Sequence, residues 1–356
     1  MRKILGLVVL GSALAGVSAM LLIFPVVEVS GDTRIVALIA SPSPDNPKSD
    51  RYPVNRSQKE VQETENAARF QHLIKYAVIQ NLHRQSMGKI MQAIAVAFLG
   101  TPYKAGLLDQ SSQETLVVTL NKFDCTLFVE TVLAITRGVA VQDYSYQTFA
   151  ERIRDERYWN GYMNGYCSRL HYFSEWIADN QRRGSVKKIT RYLSGVALNK
   201  KLNFMSQHRS KYPRLVNNEA NYKCIVEMEA NLAGLTVDYI PQSQIRRVYA
   251  QLQPGDIVAI ATNIPGLDFT HTGLVYRHPN GNIGLIHASP IGKVTISPDL
   301  QRYVEKIKNA SGILVARPVD PRQTISQGQS RSRRVRLIAL PDAEQPRLKN
   351  LQAQGN

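Results

Sequence analysis

One cysteine and two histidines have the types and settings of a nucleophile with its base. Cys125 follows Phe123-Asp124 and precedes Thr126–Arg137, where Leu127, Phe128, Val132 and Ile135 have helical spacing. Asp124 is a good N-cap residue, so the pattern opens a helix at Cys125. In that first turn the unpaired N–H groups and the helix dipole favour a thiolate. A free thiol has a pKa of about 8.5, and such sites lower it to roughly 3.5–7.5. The sequence therefore predicts a depressed Cys125 pKa. A buried structural cysteine, the commoner role for a lone Cys, is the competing reading.

A thiol nucleophile needs a base, normally His, and a group to orient it. Of the seven histidines, His72, His83 and His208 lie in polar helical or loop contexts, and His278 sits at a turn beside Pro279-Asn280-Gly281. His271 and His287 lie on predicted strands either side of that turn. An odd-length turn centred on Pro279 puts them directly opposite each other. A two-residue Asn280-Gly281 turn puts them out of phase unless a bulge intervenes. The residues alone leave this open, and each strand histidine by itself also suits a structural role. A zinc site built from Cys125, His271, His287 and Asp268 is the alternative. It matches no compact zinc motif, with neither C-x-x-C nor H-E-x-x-H present. No metal and no organic cofactor are expected.

The elements that must position these residues follow from periodicity. Phe70, Ile74, Val78 and Leu82 share one helical face, and so do Ile90, Ile94, Ala97 and Phe98. Gly100-Thr101-Pro102-Tyr103 stops the second helix, and Gly138 is expected to close the helix of Cys125. The stretch of about 140–250 mixes helix and loop. Short runs rich in Val and Ile follow: Asp256–Ala261, His271–Arg277, Ile283–Ala288, Lys293–Ser297 and Ile313–Arg317. Helices first and antiparallel strands after make an α+β layout, without alternating βαβ units. Residues 31–84 read as a polar arm with a leading helix and 85–320 as the catalytic domain. Residues 321–356 form a basic, flexible tail containing Arg331–Arg336.

Composition narrows the setting. The chain has 356 residues, 44% of them hydrophobic, and a formal charge of +16. That describes a folded protein suited to anionic surfaces. Met1-Arg2-Lys3 and the apolar run Ile4–Val27 make residues 1–30 a signal peptide or an uncleaved membrane anchor. Export to the periplasm or cell envelope is expected. An anionic membrane surface or wall polymer then becomes the partner for the charge, and nucleic acid does not. Three cysteines are too few for a disulfide scaffold, and whether Cys167 and Cys224 pair is left open.

With these residues in hand, the sequence resembles the N-acetylmuramoyl-L-alanine amidase-like branch of the NlpC-type papain-like cell-wall hydrolases. The likeness rests on Gly100–Tyr103, Phe123–Glu130, Ser168–Ile177, Gly255–Ile260, Pro265–Gly273 and Leu285–Ser289, in that order, over about residues 85–318. It implies a papain-like core, with an antiparallel sheet packed on the helix that carries the nucleophile. It implies a Cys125–His271–His287 triad, with His271 as base and His287 orienting it. Tyr103 and Asp124 are implied to lie at the substrate, and Arg169, His171 and Tyr172 to wall the pocket. The implied reaction cleaves the amide between N-acetylmuramic acid, including its 1,6-anhydro form, and L-alanine in peptidoglycan fragments. A γ-D-glutamyl endopeptidase with the same triad and a non-catalytic envelope protein that binds wall fragments are the alternatives. Cys167, where the family pattern has a small residue, and the basic tail fall outside the resemblance.

Overall fold

The computed structural model describes residues 58–198 and 200–323, all within a unit that spans 55–356. The segment read as signal or anchor, most of the polar arm and most of the basic tail lie outside the described residues. Among those described, no helix is long and apolar enough to cross a membrane.

Helices α1 (Gln58–Ile79), α2 (Met87–Val96), α3 (Cys125–Ala140), α4 (Tyr146–Arg157) and α5 (Phe173–Arg182) come first. Then β1 (Val186–Lys188) and β2 (Val196–Leu198) flank a lobe of α6 (Phe204–Gln207), α7 (Pro213–Val216) and α8 (Glu219–Asn231) on one side, with β3 (Val237–Pro241) closing it. The last part holds β4 (Ile257–Thr262), β5 (Phe269–Arg277), β6 (Ile283–Ala288), β7 (Val294–Ser297), α9 (Leu300–Glu305) and β8 (Ala310–Pro318). The strands form one sheet in the order β2-β3-β8-β4-β5-β6-β7, with β1 also on β8, and every pairing is antiparallel.

The sheet is covered on both faces, which explains why β4 and β6 are buried at every position. Ile257, Ala259, Leu274, Ile286 and Leu314 join the core that contains α2 and α3. Val258, Ile260, Val275, Leu285 and Val315 face Leu300 and Val304 of α9 and Ile245 and Val248 of the 3-10 segment Gln242–Val248. Helix α3 is apolar nearly all round because α2, α4 and the sheet surround it. Its one buried charge, Glu130, pairs with Arg157 at 2.8 Å and accepts from the Trp176 indole at 3.2 Å.

Several expectations change. Helix α3 runs through Gly138 to Ala140; a Cβ at 138 would lie 2.8 Å from the Asp143 carbonyl, so the glycine marks close packing, not a helix end. Val78 is 46% exposed, because the buried face of α1 is Phe70, Leu73, Ile74 and Ala77. On the second helix Ala95 is buried and Ala97 exposed, since the helix ends at Val96. The middle region also contributes β1, β2 and β3, strands too short to show a period of two. Cys167 and Cys224 form a disulfide, with Cα atoms 6.1 Å apart.

Candidate active site

Asp124 caps α3 as its residue type predicts: its Oδ1 accepts from the Leu127 N–H at 2.8 Å. Cys125 is thereby the first residue of the helix, and it is the free cysteine among the described residues. The strand next to it is β5. The Thr272 hydroxyl donates to the Cys125 carbonyl at 3.0 Å, tying the residue after His271 to the helix start.

The hairpin decides how the imidazoles meet. Arg277 pairs with Ile283 and Leu274 with Ile286, so the connection is 278–282, odd in length and centred on Asn280 instead of Pro279. That register puts Gly273, not His271, opposite His287. The two histidines are diagonal neighbours on one face, which side chains of their length can span. His271 Nε2 and His287 Nδ1 are 2.8 Å apart. Gly273 makes this arrangement possible, since a Cβ there would lie 2.9 Å from the His287 Cβ.

One proton order is consistent with the heavy-atom positions along this chain. His287 Nε2 lies 3.5 Å from the Ser297 hydroxyl, a group that can accept from it. With the His287 proton on Nε2, Nδ1 is free to accept from His271 Nε2–H. His271 Nδ1 is then the unprotonated nitrogen. Tyr303 of α9 covers the pair, its ring 4.6 Å from that of His287 and its hydroxyl 3.4 Å from His287 Nδ1. Burial lowers His271 to about 3, helped by His287, and lowers His287 to about 4.

The thiol corrects the expectation of a depressed pKa. Burial pushes Cys125 up to about 11, and the Asp124 carboxylate adds to the rise. Hydrogen bonds from Thr272 and Thr126 pull the other way and are outweighed. Asp124 itself rises to about 6, first through burial and then through Glu130. These directions favour a neutral thiol and neutral imidazoles in the resting site. Tyr103 and Tyr303 both lie within reach of the charge that Cys125 develops, and burial together with that charge raises both phenols. Tyr103 is held there by a bridge to Phe123 and by its N–H donating to the Gly292 carbonyl at 2.7 Å.

The sequence profile of the AmiA-like family, N-acetylmuramoyl-L-alanine amidase-like, matches residues 93–313. The chain belongs to this family. An N-acetylmuramoyl-L-alanine amidase from Bacteroides uniformis is 33% identical, with a TM-score of 0.61, over 65% of this chain and 98% of that one. A putative xylanase from Bacteroides fragilis is 34% identical, with a TM-score of 0.56, over 63% of this chain and 98% of the other. A Legionella pneumophila protein shares the fold at 23% identity and a TM-score of 0.56, over 74% and 97% of the two chains. No curated protein sequence matches it. Membership in the amidase-like family makes the α+β fold with its antiparallel sheet the family's own, and makes a cell-wall amidase-like function the frame for the site.

The residues assigned to the pocket wall of this amidase-like domain are engaged internally. Arg169 is 7% exposed; its guanidinium pairs with Glu114 at 2.6 Å and Asp109 at 2.8 Å and donates to the Leu108 carbonyl. His171 Nε2 donates to the Tyr166 carbonyl at 2.9 Å, and burial lowers its pKa to about 4. The Tyr172 hydroxyl donates to Glu229 at 2.7 Å and accepts from the Met205 N–H at 3.1 Å. The polar atoms named are already occupied by these internal partners. Asp268, weighed as a zinc ligand, accepts from the Ser174 and Phe269 N–H groups at 2.8 and 2.7 Å. No group of three or more His, Cys, Asp or Glu side chains able to hold a metal occurs among the described residues.

Sequence reasoning missed Thr272, Ser297, Tyr303 and Lys200. Thr272 stands inside the His271-Thr272-Gly273 segment already singled out, so a signal existed. Ser297 and Tyr303 reach the site only through the β6–β7 pairing and the fold of α9 over the sheet. The Lys200 ammonium donates to the carbonyls of Thr262, Ile264 and Leu267 and so ties down the loop that leads into β5.

Proposed function

We propose that the protein is a cysteine amidase that hydrolyses the bond between N-acetylmuramic acid, including its 1,6-anhydro form, and L-alanine in peptidoglycan fragments. The observation that carries this is the 2.8 Å His271–His287 contact on the strand whose next residue, Thr272, holds the start of the Cys125 helix. The family supplies the substrate class.

Cys125 is the nucleophile, His271 the base and His287 the residue that fixes the His271 tautomer. Because the thiol is neutral at rest, His271 Nδ1 takes its proton as the sulfur attacks the lactyl carbonyl. The developing oxyanion is met by the Cys125 N–H at the start of α3, which has no intrahelical partner. The imidazolium formed gives its proton to the departing L-alanyl amine, leaving a thioester. Water then attacks the thioester carbonyl with His271 again as base, and the freed thiol regains the proton. The positive charge formed on His271 extends through His287 towards Ser297. Tyr103 and Tyr303 flank the sulfur, and Arg169, His171 and Tyr172 support the wall behind it. No step requires a metal or cofactor.

We place the activity outside the cytoplasm, at the periplasmic face or in the envelope. The charged and apolar N-terminal run supports this, as does the Cys167–Cys224 disulfide, a bond that persists in oxidising compartments. The net charge of +16 suits an anionic membrane or wall polymer.

Mass spectrometry of products from purified muropeptides tests the reading. Release of intact L-alanyl peptides is expected, and none from the Cys125→Ala protein. A product cut after the γ-D-glutamyl residue instead would make the protein an endopeptidase with the same triad.

A further inference from the structure

A cavity of about 470 Å³ opens between α9 and the Gln242–Val248 segment, lined by Arg246, Ser297, Asp299, Arg302, Tyr303 and Lys306 among others. It lies at the outer end of the imidazole chain. Ser297 is the residue that His287 Nε2 faces at 3.5 Å, and Tyr303 borders the cavity while also lying within reach of the Cys125 charge. Tyr303 therefore borders both this space and the imidazole of His287.

The charges around the cavity are unbalanced. Arg246 is engaged by Asp299 at 2.8 Å. Asp299 is further occupied by the Arg302 N–H and the Tyr249 hydroxyl. Arg302 on α9 and Lys306, the residue that caps its C-terminus, stand four residues apart, both exposed, and neither side chain has an ion pair or hydrogen bond among the described residues. Three cations thus face one carboxylate that is already used. The hydroxyls of Ser297 and Tyr303 add donors. Such a lining selects an anion, and planar guanidinium with ammonium suits a carboxylate.

We propose that this cavity is a subsite for a carboxylate of the substrate's peptide, held by Arg302 and Lys306. The inference rests on the amidase reading and goes further, because it gives the substrate a direction. The muramoyl side of the scissile amide carries no charge while its lactyl carboxyl is tied up in the bond. The peptide side carries free carboxylates. The peptide therefore runs from Cys125 towards α9, and the sugar lies on the Tyr103 side. An anion in the cavity also stabilises the positive charge that spreads through His287 during thiol attack.

The test compares a muramyl peptide bearing free carboxylates with the same peptide carrying carboxamides. Wild-type protein is expected to favour the free acid by about tenfold or more in kcat/KM, through charge-assisted contacts. The Arg302→Gln/Lys306→Gln double variant is expected to lose that preference, with an unchanged melting temperature to show that it is folded. Equal turnover of the two substrates by wild type, or a preference that survives in the variant, overturns the proposal. Inhibition by inorganic phosphate without any carboxylate preference would assign the cavity to a phosphate and overturn it as well. Calorimetric titration of Cys125→Ala protein with the free stem peptide and its carboxamide form supplies a second arm. If wild type cleaves neither muropeptide, the amidase reading fails and this titration alone decides the subsite: tighter binding of the free acid supports it, equal or absent binding sinks it.

Discussion

In β4, β5 and β6 almost every side chain meets apolar neighbours, and the two sheet faces feed two separate cores. The lobe of α6, α7 and α8 has much less to bury. Its cluster is Tyr166, Tyr172, Leu202, Met205, Leu215 and Ile225, and it is joined to the Tyr166–Ser168 turn by the Cys167–Cys224 disulfide. Buried area holds the sheet in register. The lobe relies on a covalent tie and on polar contacts such as Tyr172 to Glu229 and Lys200 to three carbonyls. Small apolar clusters cannot offset the entropy of ordering their chain by burial alone, so cross-links recur where cores are thin. The chemistry is assigned to the sheet, and the lobe meets the loop that leads into β5 through Lys200 and the Gly266 carbonyl.

This contrast can be broken at several points. The largest effect is expected at the sheet site: Cys125→Ala should lower turnover by about four orders of magnitude or more, with the fold intact. His271→Ala should come close to it. His287→Ala should retain more, falling about a hundredfold, since it orients the base without touching substrate. Steady-state kinetics on a defined muropeptide reads all three, and full activity of Cys125→Ala would end the thiol mechanism.

Stability comes next. Arg157→Ala leaves the Glu130 carboxyl without its ion-pair partner inside the sheet-side core, both side chains being 2% exposed in the wild type. A loss of about 3–5 kcal/mol is expected. Reducing the lobe's disulfide, which spans 57 residues, should cost about 2–4 kcal/mol. Denaturant melts with and without reductant measure both. If the lobe is stapled as argued, hydrogen exchange after reduction should quicken in 200–232 before it does in β4–β6. Uniform quickening would show that the two regions do not differ.

The remaining tests are in pH. His271 and His287 are lowered from 6.5 to about 3 and 4, so the unfolded chain takes up protons first as pH falls below 6.5. Stability should therefore decline from about pH 6.5 towards 3, because the unfolded state binds more protons throughout that window. Asp124, raised to about 6, acts in the opposite sense between 6 and 3.8 and offsets part of the decline. Replacing both histidines by Gln should flatten the slope. For the thiol, raised to about 11, alkylation by iodoacetamide should keep accelerating above pH 8. A plateau between pH 4 and 7 would instead reveal a preformed thiolate.

What could be read from the residues follows the same division. The strands from Asp256 onward are visible because both-face burial writes Val and Ile in unbroken runs. Asp124 and Cys125 are visible because a cap sets its own local chemistry. The direction of the Cys125 shift was not, since the dipole of a first turn is local and the burial that overrules it comes from the whole fold. The turn centre at Asn280, and hence Gly273 opposite His287, needed the pairing itself. Arg169 and Tyr172 find their partners 55 and 57 residues away, at a distance no period records. Cys167 and Cys224 are likewise brought together by the lobe's packing and not by spacing.

Lys200 places its ammonium among three main-chain carbonyls, with no carboxylate in direct contact among the described residues. Dissolved ions screen interactions between exposed full charges far more than a short contact with fixed dipoles. Attraction of the basic chain to an anionic wall should fade as ionic strength rises, while the loop that delivers His271 stays anchored. On the proposed function, where the protein works and how well it works would be governed by separate variables, and brine would release it from a surface without disarming it.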